Sequence, residues 1–321
     1  MNLTFELPLP DLSLLRQGNV GVEGVWHFDS GRVGPKLAIT ALIHGNEICG
    51  AWALKDLLQS GLRPERGELS LIFANLAAFD RFDALNHDAS RFVDEDLNRV
   101  WTDARMAAGA TQECRRATEL QPWLARADWL LDLHSMHEPG APLLLTGLQP
   151  RNLTLARVMG ASVQIIIDAG HSDGTRLRDY GRWGLADAAA PDTRSLLIEC
   201  GFHGEPNSRV VAQDMVYRFL LASSQFNPEV LDQALPGWRL KAFGFPEPLV
   251  VTGAVVAKSE GFRLTVPIEG LLRIPLAGTE IGDNDGEIVR TPHDDCVLVM
   301  PSVRQARAGV TVVRFARAMG N

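Results

Sequence analysis

Tyrosine, cysteine and long apolar runs are all scarce in this chain of 321 residues. Only two tyrosines occur, Tyr180 and Tyr217, so no site formed by residues 236–321 can be built on a phenol of its own. The four cysteines, at 49, 114, 200 and 296, lie too far apart for a metal knuckle and show no paired spacing. A reduced, cytoplasmic protein is the simplest expectation. No apolar run approaches the roughly 20 residues that span a bilayer, and Met1 to Leu7 lacks the basic and then apolar pattern of a secretory signal. Positive charge is also in deficit, with 31 Lys and Arg against 39 Asp and Glu and a net charge of −8. That balance disfavours nucleic acid and anionic membranes as partners. An anionic ligand must instead be attracted locally, by a few arginines.

Hydrophobic residues make up 46% of the chain, enough for a large core in one main domain plus a smaller one. Through the first two thirds, short apolar runs alternate with helical patterns. Strands are expected at 36–43, 69–74, 129–133, 162–167 and 195–198, and helices at 48–59, 112–127 and 210–224. The alternation predicts an α/β fold with a mostly parallel or mixed sheet flanked by helices. Asn227-Pro228, Pro236-Gly237 and Phe245-Pro246-Glu247-Pro248 punctuate a change of texture. Beyond it, runs at 249–256, 263–266, 296–300 and 309–315, with a turn at 282–286, read as a small β-rich domain. The expected division is 1–235 and 236–321.

Within this frame, His44-Gly45-Asn46-Glu47 closes the first strand pattern, and Asp132-Leu133-His134 closes the third. Two histidines and a carboxylate are a zinc donor set that leaves a fourth tetrahedral position open, so His44, Glu47 and His134 are read as metal ligands for one Zn²⁺. Asp132 and His134 share a strand face, which suits Asp132 to orient a ligand. Glu199, in Leu196-Leu197-Ile198-Glu199-Cys200-Gly201, follows another apolar run. A carboxylate there is costly to bury unless it moves protons or meets charge, and it is the candidate base. Ser90 to Arg99 holds Arg91, Asn98 and Arg99, donors suited to a carboxylate or a developing oxyanion. His44, Asn75, His134 and Glu199 each follow a predicted strand, where open α/β sheets form their ligand crevice. His137 and His203 are candidates to line that pocket, whereas His27, His87, His171 and His293 are expected to be structural.

His44-Gly-Asn-Glu47, Arg91 with Asp96-Leu-Asn98-Arg99, Asp132-Leu-His134 and Ile198-Glu199-Cys-Gly201 together resemble the succinylglutamate desuccinylase and aspartoacylase family of zinc carboxypeptidase-like hydrolases. The resemblance runs from about residue 36 to 204. It implies a zinc carboxypeptidase-like catalytic domain partly covered by the C-terminal β domain. It also implies zinc on His44, Glu47 and His134, a catalytic carboxylate at Glu199, carbonyl polarisation by Arg91, and a substrate carboxylate on Asn98 and Arg99. Aspartoacylases add an arginine upstream of the catalytic glutamate and a tyrosine from the C-terminal domain. Arg176, Arg178 and Arg194 stay open for the first role and nothing matches the second, which argues against N-acetylaspartate as substrate.

The expected activity is therefore zinc-dependent hydrolysis of the amide bond in a small N-acyl amino acid or related amine, by a chain that could form homo-oligomers. A metallocarboxypeptidase acting on peptides and a non-catalytic zinc-containing binding protein are the alternatives.

Overall fold

The computed structural model describes residues 4–171, 173–244, 246–304 and 306–320. Its first seven strands are β1 (Val25–Asp29), β2 (Lys36–Ala41), β3 (Glu68–Phe73), β4 (Trp129–Met136), β5 (Leu143–Leu145), β6 (Gln164–Ile167) and β7 (Arg194–Phe202). The C-terminal segment adds β8 (Leu249–Val256), β9 (Arg263–Leu264), β10 (Leu272–Ile274), β11 (Glu280–Asn284), β12 (Glu287–Arg290), β13 (Cys296–Val299) and β14 (Thr311–Ala318). One eleven-stranded sheet runs in the order β1-β3-β2-β4-β7-β5-β6-β8-β14-β13-β10, and β12-β11-β9 form a second, small sheet. The mixed sheet flanked by helices is the fold class expected from the alternation of patterns.

Why the central strands are apolar throughout is plain from their surroundings. Leu37, Ile39 and Ala41 of β2 face a core shared with the helices Ile48–Gln59, Pro150–Met159 and Pro206–Ala222. Ala38 and Ile43 face a second core that holds the helix Gln112–Ala125 through Cys114, Ala117, Leu120 and Leu124. With both faces covered, alternation disappears from the sequence. Gly50 marks how closely the first helix rides on the sheet, since a Cβ there would lie 2.7 Å from Leu133 Cβ and 2.9 Å from Ala41 Cβ.

β2, β4 and β7 are parallel neighbours in the middle of the sheet, so their carboxyl ends open on the same side. Several boundaries differ from the sequence reading. β4 and β7 extend to Met136 and Phe202, which puts His134 and Glu199 inside the strands rather than just after them. Pairing with neighbours on both sides prolongs each strand beyond its apolar run. Similarly, the helix expected at 210–224 spans Pro206–Ala222, with Pro206 in its first turn, where the missing N–H costs nothing. β1, β5, β10, β11 and β12, and the helix Pro150–Met159, were not apparent in the sequence. Five of these six are short strands with little periodicity to read.

The C-terminal strands are not detached. β6 pairs in parallel with β8, carrying the same sheet into the 236–321 segment. A separate apolar cluster around Phe262, Ile281, Leu298 and Val313 supports that segment. Its β11–β12 hairpin turns at Asp285 and Gly286, both at positive φ, as a tight two-residue hairpin requires.

Candidate metal centre and cavity

After β2 the chain must turn sharply to bring His44 over the sheet. Leu42, buried and at φ 59°, takes that turn at a cost normally met only where surrounding packing enforces it. Gly45 follows because there is no room for a side chain: a Cβ would come within 2.4 Å of Ala78 C and Ser90 O. Glu47 then sits at the N-cap of the helix Ile48–Gln59, one residue before the first turn in which it was expected. Its side chain makes no capping bond and turns towards the histidines.

Those three side chains converge. Glu47 Oε1 lies 2.7 Å from His44 Nδ1, and Glu47 Oε2 lies 2.8 Å from His134 Nδ1. The rings of His44 and His134 are 5.1 Å apart, and all three groups are buried with donor atoms within 4.8 Å of one another. Each imidazole is held from behind by a carboxylate: His44 Nε2 by Asp96 Oδ1 at 2.9 Å, and His134 Nε2 by Asp132 Oδ2 at 2.8 Å. Asp132 is itself fixed by the Thr40 hydroxyl at 2.5 Å. Carboxylate, imidazole and an inward-facing Nδ1 in line are the usual support of a metal-ligating histidine. The donor set and its backing fit a zinc ion. Burial alone would raise the Glu47 carboxyl, but His44 and His134 hold it well below the ordinary range. Burial would likewise lower His134, yet Asp132 and Glu47 hold it well above.

Glu199 is placed by register. It stands directly opposite His134 in the parallel β4–β7 pair, so both project at the same point along the sheet. Burial, reinforced by the nearby Glu47 charge, pushes its carboxyl up to about 8. Its Oε2 is buried without a hydrogen-bond partner among the described residues. A buried unsatisfied carboxylate oxygen costs on the order of 1–3 kcal/mol or more, and such sites concentrate where charge or protons are to be handled.

The loop after β3 delivers the remaining donors. Arg91 NH1 donates to Glu47 Oε1 and to His137 Nε2, each at 3.2 Å, while NH2 donates to Asp96 Oδ2 at 3.1 Å. Asp96 also accepts the backbone N–H of Asn98 at 2.7 Å through Oδ1 and caps the turn Leu97–Arg99. One aspartate therefore ties His44, Arg91 and the Asn98–Arg99 turn together. Burial would raise its carboxyl, but His44 and Arg91 hold it well below the ordinary range. Asp96 had no assigned role in the sequence reading, although an aspartate two residues before Asn98 is a recognisable capping signal. Glu113 holds the same loop from below, accepting from the N–H groups of Val93, Asp94 and Glu95.

A cavity of about 180 Å³ opens over these groups. His44, Glu47, Arg91, Asn98, Arg99, His134, His137 and Glu199 all line it. Asn98 Oδ1 accepts from Leu177 N–H, and its amide nitrogen has no partner among the described residues. His203 is buried behind His137, with Nε2 3.2 Å from His137 Nδ1. Asn75 is elsewhere: its Oδ1 caps the short helix Leu76–Phe79. Of the three arginines left open, Arg176 lines the cavity but is paired with Asp168 and Asp179 at 2.7 and 2.6 Å. Arg178 is buried against Asp179 and the Thr146 carbonyl, and Arg194 binds the carbonyls of Pro191 and Thr193 away from the cavity. His171, expected to be structural, lines the cavity, as does Arg314 of β14. The one trace of Arg314 in the sequence is a charge within an otherwise apolar buried run, Val312-Val313-Arg314-Phe315-Ala316.

Residues 33–178 match the succinylglutamate desuccinylase/aspartoacylase catalytic domain. A succinylglutamate desuccinylase from Pseudoalteromonas atlantica is 35% identical over 97 residues, covering 28% of this chain and 25% of that protein. An N-acyl-aromatic-L-amino acid amidohydrolase (carboxylate-forming) from Rattus norvegicus is 32% identical over 112 residues, covering 31% and 33%. The chain thus spans a third or less of the length of these relatives. Among solved structures, succinylglutamate desuccinylase from Vibrio cholerae superposes with a TM-score of 0.68 at 17% identity, covering 92% of this chain and 86% of that one. The Vibrio parahaemolyticus enzyme gives 0.66 at 14%, covering 93% and 87%. At such identity these likenesses speak for the fold. Among the described residues no helix is long and apolar enough to cross a membrane.

Proposed function

Because residues 33–178 belong to the succinylglutamate desuccinylase/aspartoacylase family, we propose that this chain is a zinc-dependent amidohydrolase that removes the acyl group from a small N-acyl amino acid. The observation that carries the reading is the Glu47 carboxylate set between two inward-facing Nδ1 atoms, each imidazole backed by its own aspartate. His44, Glu47 and His134 would hold the ion. Zinc supplies a Lewis acid that polarises a carbonyl oxygen and lowers the pKa of water to about 7.

The chain's own residues do the rest. Asn98 and Arg99 hold the substrate's carboxylate at one end of the cavity, which fixes the scissile amide relative to Glu199. Glu199 accepts a proton from the attacking water at its free Oε2 and passes it to the leaving nitrogen, so that the amine departs neutral. Arg91, immobilised by Glu47, Asp96 and His137, offers N–H groups to the carbonyl oxygen as negative charge develops there. The fixed guanidinium needs no reorganisation at that moment. A pocket of this size suits a compact ligand better than an extended peptide.

Zinc-loaded protein assayed against N-acetyl, N-succinyl and N-formyl amino acids is expected to release free amine from at least one class. Glu199→Gln is expected to keep its metal while turnover falls by about a thousandfold or more, the scale of losing a general base together with its charge. Near-wild-type turnover in that variant would remove Glu199 from the role. Turnover that survives His44→Ala and chelation would remove the metal.

A further inference from the structure

Four arginines in the cavity wall are buried or half-buried, and three already have acidic partners. Arg91 is paired with Glu47 and Asp96, Arg99 with Asp173 at 3.0 Å, and Arg176 with Asp168 and Asp179. The fourth, Arg314, is buried and has no carboxylate partner among the described residues. Its neighbour is the neutral ring of His171: NH2 lies 2.8 Å from Nε2 and 3.2 Å from Nδ1. Arg99 NH2 approaches the same Nδ1 at 3.3 Å. Two guanidinium groups from distant parts of the chain therefore converge on one imidazole, which as a neutral ring has a single acceptor nitrogen and cannot neutralise either. Burial, with Arg314, Arg99 and Arg176 around it, holds His171 far below the ordinary histidine range, so it stays uncharged.

A guanidinium taken out of water without an opposite charge is among the most expensive groups to bury. It is tolerated where the missing charge arrives with a ligand. Arg314 faces the same cavity as Glu199 and Asn98, and the planar fork of an arginine matches a carboxylate. We propose that Arg314, reaching in from β14, and Arg99 clamp a single substrate carboxylate between them, with His171 holding both forks in position before the ligand binds. The C-terminal segment then contributes directly to specificity, and the preferred substrates are amides whose amine part carries a free carboxylate. This rests on the amidohydrolase reading for the identity of the substrate, though not for the existence of the anion site.

Three measurements test it on the zinc-loaded full chain. With N-acetyl amino acids, Arg314→Gln is expected to raise KM about 10- to 100-fold while kcat stays within about threefold, the loss appropriate to one charge-assisted pair. Arg314→Lys, which keeps the charge without the fork, should fall between. On wild-type protein, the corresponding α-carboxamides should bind at least tenfold more weakly than the acids; equal KM for acid and carboxamide overturns the clamp without any variant having to fold. Succinate titrated calorimetrically should bind Arg314→Gln at least tenfold more weakly than wild type, and equal affinity overturns it. If wild-type protein hydrolyses none of the amides, the amidohydrolase reading fails while the succinate titration still decides the clamp.

Discussion

Asp96 shows how much of the site depends on single acids. Its two oxygens serve His44, Arg91 and the Asn98 backbone at once, so the ring, the guanidinium and the Asn98–Arg99 turn share one anchor. Glu199 illustrates the opposite condition, an acid with too few partners. Its carboxyl lies near 8 instead of the ordinary 4.5 because burial and Glu47 disfavour its charge. For metal-free protein the sign follows directly. The folded state retains a proton that the unfolded chain releases above about 4.5, so this favourable contribution is intact below that pH and is lost as pH rises to about 8. Melting curves of metal-free wild type and Glu199→Gln should therefore diverge between pH 5 and 8, the variant gaining relative to wild type. A difference independent of pH would contradict this. The convergence of His44, Glu47, His134 and Glu199 could be anticipated from the sequence because each stands in or soon after an apolar run that reads as a strand. Arg314 and His171 could not, since each acquires meaning only from the other across 143 positions of chain.

At the scale of single elements, contact between the helix Ile48–Gln59 and the sheet sets the position of Glu47, its N-cap. Gly50 permits that contact, and Gly50→Ala would press a methyl into Leu133 and Ala41, backbone-anchored atoms that cannot swing aside. A destabilisation of about 1–3 kcal/mol is expected, together with weaker zinc binding as Glu47 is lifted from His134. Denaturant unfolding and competition with a chelating dye would measure both, and a variant with unchanged stability would show that the helix has room to move. The helix itself was apparent from the sequence to the residue, Ile48 to Gln59, because an amphipathic stretch flanked by clear breaks carries its own period. β5, three residues long, carries none, yet it borders Glu199 in the sheet. Its existence is dictated by the strands that it joins.

Over the whole molecule, the sheet is the organising object. After Leu235 the helices give way to strands, and a separate apolar cluster gathers residues from Val255 onward. Yet β6 is hydrogen-bonded to β8 across that boundary. A chain ended after Leu235 would leave β6 as an exposed apolar edge and strip Met300, Thr311 and Arg314 from the cavity wall. Such a fragment is expected to aggregate on gel filtration, and a monodisperse fragment would show the two parts to be independent. The continuous ladder has a mechanical corollary as well. Swinging the two halves apart like jaws would break main-chain bonds between β6 and β8 and the Glu138–Arg304 ion pair that fastens the loop after β4 to the C-terminal segment. A guest must therefore enter and leave past side chains at the rim, and the size admitted is set by walls tied to one another through the backbone.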